Sequence, residues 1–168
     1  MTSAGRAAHT ARAPSSFAAR LVRTGITIGV VDALWAVVLT VAYGRTITAL
    51  WQGVASVPFG KAVLEGGVAT AWLGLGVHFC VAFTWSAVFL FAHAQSAALR
   101  RLVSTGAGVA VASVIYGPLI WTLMSLVFIP LRTGNPAPAI TARWMVQLVG
   151  HAFFVGLPIV WSAVQGSR

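Results

Sequence analysis

The sequence predicts an all-α protein, a bundle of four transmembrane helices with a short amphipathic helix in the membrane interface between spans 1 and 2. Two observations carry this. The 168-residue chain is 58% hydrophobic and only 8% charged, with a mean hydropathy of +0.88, whereas a soluble domain carries about 25% charged residues. Gly67 to Phe91 also contains no Lys, Arg, Asp or Glu. Its roughly 24 helical residues reach about 36 Å, enough to cross a ~30 Å hydrocarbon core. The length leaves room for one helical bundle and no separate soluble domain.

The chain divides into a basic tail (1–24), a four-span domain (25–164) and a short end (165–168). The basic tail is rich in Ala, Ser and Arg and lacks acids, so it cannot bury enough apolar surface to fold alone. Arg6, Arg12, Arg20 and Arg23 favour its retention on the cytoplasmic side, with Phe17 to Val22 lying on the membrane surface. A mitochondrial-type transit peptide shares this composition and is the competing reading.

The first span covers about residues 25–43. An apolar stretch of about 19 residues exceeds the roughly 7–15-residue core of a cleaved signal, so an uncleaved anchor is expected. Gly25, Gly29 and Ala33 recur at every fourth position, a ridge of small residues that lets another helix approach closely. Asp32 lies near this ridge and therefore points into protein. In the next stretch Ile47, Leu50, Trp51, Val54 and Ala55 share one helical face opposite Thr46, Thr48, Gln52 and Ser56, the pattern of an interfacial helix ending near Pro58. A further turn, Gly60 to Glu65, leads into a Gly66-Gly67 hinge.

The second span covers 67–91 and holds His78 and Cys80, the latter read as a small buried residue. A polar connector from His93 to Arg101 follows. The third span, 102–128, opens on small residues suited to helix packing, Gly106 and Gly108 among them, and should kink at Pro118. A turn-rich loop through Gly134, Asn135, Pro136 and Pro138 leads to the fourth span, 143–164. Four spans place both termini on one side. Arg100, Arg101 and Arg168 fall on the side of the basic tail, with Arg45, Lys61, Arg132, Arg143 and Glu65 opposite, a bias toward N-in, C-in.

The net charge of +9 lies in the tail and at span ends, where it meets anionic headgroups, and no stretch alternates aromatic and basic residues as a nucleic-acid platform does. A single cysteine excludes an intrachain disulfide and any cysteine-based metal centre, and no metal site is expected. There is no phosphate loop, nucleophile elbow, HExxH or second carboxylate near Asp32, so no enzyme is expected.

Three ionisable residues fall within spans: Asp32, His78 and His151. Such residues are expensive in lipid and mark function by default. Helix rise puts Asp32 about 10 Å from the cytoplasmic edge, His78 near the midplane and His151 about 10 Å from the other edge, a staggered ladder with Tyr116 level with His151. His78 and His151 suit the axial ligands of a b-type haem or another tetrapyrrole between bundle helices. The same residues suit a proton or small-solute conduit. Against both stands the plain alternative that each polar group hydrogen-bonds a neighbouring helix, with Asp32 reaching the snorkelling Arg101.

His78-Phe79, Gly106 with Gly108, Pro130 and Gly150-His151 form a pattern that resembles small uncharacterised bacterial four-span proteins and is distantly similar to the YagU-like inner-membrane family. The resemblance covers roughly the second to fourth spans and departs in the first loop, which is longer in YagU-like proteins. It implies a multi-pass protein of the bacterial inner membrane. The function expected from the whole is a small non-catalytic accessory subunit of a larger membrane complex, respiratory or photosynthetic, with lipids and other transmembrane subunits as partners and no required cofactor. The haem-binding electron carrier and the conduit are the alternatives.

Overall fold

The computed structural model describes residues 16–165; the basic stretch 1–15, with Arg6 and Arg12, and the last residues, 166–168, lie outside them. The fold is all-α, with helices long and apolar enough to span a membrane at Phe17–Ala42, Gly67–Gln95, Gly106–Thr133 and Ala142–Gln165. Shorter helices at Ile47–Phe59 and Ala97–Leu102, with a 3₁₀ turn at Lys61–Glu65, complete it.

Hydroxyl side chains set most helix starts. Ser16, Thr46, Ser96, Thr105 and Thr141 each accept a hydrogen bond from the backbone N–H three residues on, which satisfies a donor that the first turn leaves free. Gly134 ends the third span in the left-handed conformation at φ 68°, where a Cβ would be strained.

Several boundaries differ from the sequence expectation. The first span begins at Phe17, not Gly25, because Ser16 caps it there and Arg20 keeps its place in the helix by donating to the carbonyl of Ala163, 2.7 Å away. Phe17 to Val22 are thus its opening turns. The second span continues to Gln95 and carries His93, which is buried. The third begins at Gly106, since Ser96 starts a separate short helix through Leu102, and continues past Phe128 to Thr133.

The third and fourth spans each contain a π turn, Met124–Phe128 and Ala152–Gly156. Each turn ends two residues before a proline, Pro130 and Pro158. A proline inside a helix has no N–H to give and its ring crowds the carbonyl four residues back. Widening the preceding turn by one residue relieves that crowding. Pro118, where a kink was expected, lies within ordinary α-helix.

Packing depends on glycines, though not all those anticipated. Gly25 and Gly29 are buried against the rings of Phe83 and Phe79, so the small-residue ridge of the first span is filled by the second. Ala33, further along it, is only half-buried. Gly106 is exposed with nothing beside it, and Gly108 abuts Leu102 and Thr105 of the preceding turn rather than another span. Both open the third span instead of packing it. The close approaches come elsewhere: Gly74 against the carbonyl of Trp51, Gly117 against that of His151, and Gly156 against that of Ser113. Cys80 is exposed on the outer surface, not buried.

The helix Ile47–Phe59 turns its Trp51 and Ala55 onto the second span, and its buried Gln52 donates to the carbonyl of Gly67 and to Thr70 Oγ1 at 3.1 and 3.2 Å. Arg132 at the end of the third span donates to the carbonyl of Pro58 (2.6 Å). The apolar face predicted for this helix is present, and protein covers its centre.

Candidate functional site

Between the first three spans, the fourth span and the helix Ile47–Phe59 lies a cavity of about 440 Å³. Ser56, Thr133 and Asn135 line it at the bundle end remote from Phe17 and Gln165, and Ile28, Ala82, Val155 and Ile159 line it at depth. Beyond those residues the core is closed by Leu90, Val103, Val109, Val160 and Ala163. The cavity is therefore blind. Its wall is mainly apolar (Val77, Val81, Ile120, Met124) with the indoles of Trp85 and Trp121.

Asp32, His78 and His151 all line this one cavity. The three rungs of the ladder read from helix rise thus share one site. Tyr116 is not part of it. Its hydroxyl donates to the carbonyl of Trp85 (2.8 Å), and its ring packs on Phe89 with centroids 4.9 Å apart.

Hydrogen-bond chemistry fixes the histidine tautomers. His78 Nε2 lies 2.9 Å from the carbonyl oxygen of Gly29. A carbonyl only accepts, so Nε2 carries the proton. The other nitrogen, Nδ1, faces Asp32 Oδ2 at 3.9 Å, beyond hydrogen-bond length. A neutral His78 then turns a lone pair toward a carboxylate, an arrangement relieved by one positive charge between them. No hydrogen-bond donor among the described residues reaches Asp32; its ion-pair contact is His78, His151 lies within electrostatic reach, and Arg101 is not its partner. His151 Nδ1 lies 2.8 Å from the Gln147 carbonyl, and so donates to it. Nε2 of His151 has no protein partner among the described residues, and the ring packs against Trp121 at 4.9 Å between centroids.

Residues that sequence reading passed over shape the site. Trp51 packs on the ring of His78 with centroids 5.3 Å apart. The indole N–H groups of Trp35 and Trp121 are buried without an acceptor among the described residues, which costs about 1–3 kcal/mol each. Trp144 instead donates to Ser125 Oγ (3.1 Å), which donates to the Trp121 carbonyl (2.7 Å). Gly53 lines the cavity and has open space where a side chain would go. Trp residues near titratable span residues were the available signal. Which of them reach the cavity depends on helix rotation, which composition does not encode.

Among the described residues no group of three His, Cys, Asp or Glu side chains is placed to hold a metal ion. Comparison with protein-family models, with curated proteins and with solved structures gives no match. The structure shows a four-span helical membrane protein.

Proposed function

We propose that this protein binds a small molecule inside its bundle, with the Asp32–His78 pair linking occupancy to a proton, and that it carries out no covalent chemistry of its own. The observation behind the reading is that Asp32, His78 and His151, from three different spans, line one cavity. Buried charges that merely satisfied neighbouring helices would be paired on the spot. Here Asp32 accepts no hydrogen bond from a described residue, its one ion-pair contact being His78 Nδ1 at 3.9 Å, and Nε2 of His151 is unused. The closed floor favours a binding vestibule over a continuous conduit. N-in, C-in topology, which rests on the charge bias of the sequence once Arg6, Arg12 and Arg168 are counted with Arg20, Arg23, Arg100 and Arg101, would open the vestibule to the outside. A bacterial inner membrane is part of the proposal and rests on the resemblance alone.

The two other readings draw less support. A haem held by His78 and His151 needs one ring nitrogen of each on iron, and His78 has committed Nε2 to Gly29 and turned Nδ1 to Asp32. For an accessory subunit of a respiratory or photosynthetic complex, the ridge of Gly25 and Gly29 gives no support, being already occupied by Phe83 and Phe79.

Native mass spectrometry of the particle extracted in mild detergent tests the reading. The wild type should retain a small-molecule adduct that Gly53→Trp loses, with both chains equally helical. Identical adducts in the two would refute it, and fixed stoichiometry with other spanning proteins would favour the accessory subunit.

A further inference from the structure

We propose that the ligand is a lipophilic organic cation, its positive centre against Asp32 and its apolar body between Trp85 and Trp121. This rests on the cavity being a binding site and adds the charge and character of the occupant.

The first argument is the sign of the field. Among the described residues lining the cavity, Asp32 is the only carboxylate, and there is no lysine or arginine. An anion entering would meet this carboxylate with no fixed positive charge to offset it. A neutral ligand would leave the balancing of the carboxylate to His78, 3.9 Å away, whose Nε2 is already given to Gly29. A cation supplies that balance itself.

The second is the character of the wall. A hard metal cation needs several oxygen ligands in place of its water, and apart from Asp32 and the two histidines the wall is mainly apolar, with Ile28, Val77, Val81 and Ile120 in it. Those side chains suit an organic body. The faces of Trp85 and Trp121 attract a cation as well as covering apolar surface. The volume of about 440 Å³ falls in the range of small-molecule pockets, about 300–1,000 Å³.

The third is competition. Gly29 fixes the His78 proton on Nε2, so the gap between Nδ1 and Asp32 has room for one positive charge, either a second proton on the imidazole or the ligand. His151, facing the cavity from the fourth span, is the other titratable group there. A cation in this gap and a second proton on the imidazole therefore exclude one another.

The test is equilibrium binding of tetraphenylphosphonium to the full-length protein in lipid nanodiscs, with tetraphenylborate as a probe of the same shape and opposite charge. The phosphonium should bind saturably, at least tenfold more weakly at pH 5.5 than at pH 8. Asp32→Asn should weaken it at least tenfold, Asp32→Glu much less, and Gly53→Trp should abolish it. Thermal melting of each variant checks folding, and the wild-type pH dependence stands even if Asp32→Asn does not fold. Undiminished binding in a folded Asp32→Asn, or no change with pH, overturns the proposal. Tetraphenylborate binding that Gly53→Trp blocks also overturns it, yet leaves the cavity as a binding site. Absence of saturable phosphonium binding overturns the cation proposal, while the native adduct decides the cavity reading separately.

Discussion

His78 is held by the main chain of Gly29, its Nε2 2.9 Å from that carbonyl oxygen. Gly29 lies three residues before Asp32, so one turn of the first span supplies both an acceptor for one ring nitrogen and a carboxylate facing the other. The absence of a side chain at Gly29 is what lets the second span come close enough, with Phe79 filling the space.

His78→Phe keeps a ring of similar shape and leaves the Gly29 carbonyl without its donor. A loss of about 1–3 kcal/mol in stability is expected, read from denaturant melts in detergent. His78→Gln, which still offers an N–H, should recover part of it. Equal melting of all three would show that the bond contributes nothing.

The glycines divide into two groups by what surrounds them. Gly25→Leu and Gly29→Leu place bulk onto Phe83 and Phe79, and overpacking of this kind costs typically about 1–3 kcal/mol. Gly106→Leu meets open space and should change stability by less than about 0.5 kcal/mol. Thermal melts of the three variants distinguish the two groups, and a Gly106 variant as unstable as the others would contradict the packing.

Where the neighbour is backbone, even one methyl is too much. Gly74→Ala sets a Cβ against the Trp51 carbonyl, and Gly117→Ala against that of His151. Main chain yields less readily than an aromatic ring, so each alanine should cost at least the ~1–3 kcal/mol of ordinary overpacking. In Gly74→Ala the effect should concentrate on the helix Ile47–Phe59, raising amide exchange there while the fourth span stays protected. Uniform exchange through the chain would argue against local detachment.

Arg132 ties the end of the third span to the carbonyl of Pro58. Arg132→Gln should speed amide exchange at the C-terminal turns of the helix Ile47–Phe59 with little change in global melting, since a single exposed contact contributes about 1 kcal/mol or less. Unchanged exchange would mean that the Gln52 bonds to Gly67 and Thr70 hold this helix by themselves.

Span number was legible because an uncharged run such as Gly67 to Phe91 has few ways to satisfy its backbone other than a helix. The Gly25–Gly29 ridge was legible too, through its spacing of four, and so were the ionisable residues. Partners were not. Gly106 and Gly25 look alike in sequence, and only the rotation of each helix against its neighbours separates an open surface from a tight contact. Rotation likewise left Cys80 outside and brought His78 and His151 to one cavity. Ends were misplaced where hydrophobicity and capping disagree: Leu102 and Val103 are apolar, yet Thr105 starts the third span.

The π turns at Met124–Phe128 and Ala152–Gly156 border the cavity, each between a proline and an aromatic or histidine on its wall, Trp121 and His151. A π turn holds one surplus residue. Passing that surplus one turn along a helix rotates the residues it crosses by about 100° and leaves both ends in place. Pro130 and Pro158 hold each surplus where it is, so Trp121 and His151 meet the cavity at an angle that an unbroken α-helix leading into those prolines would not give them.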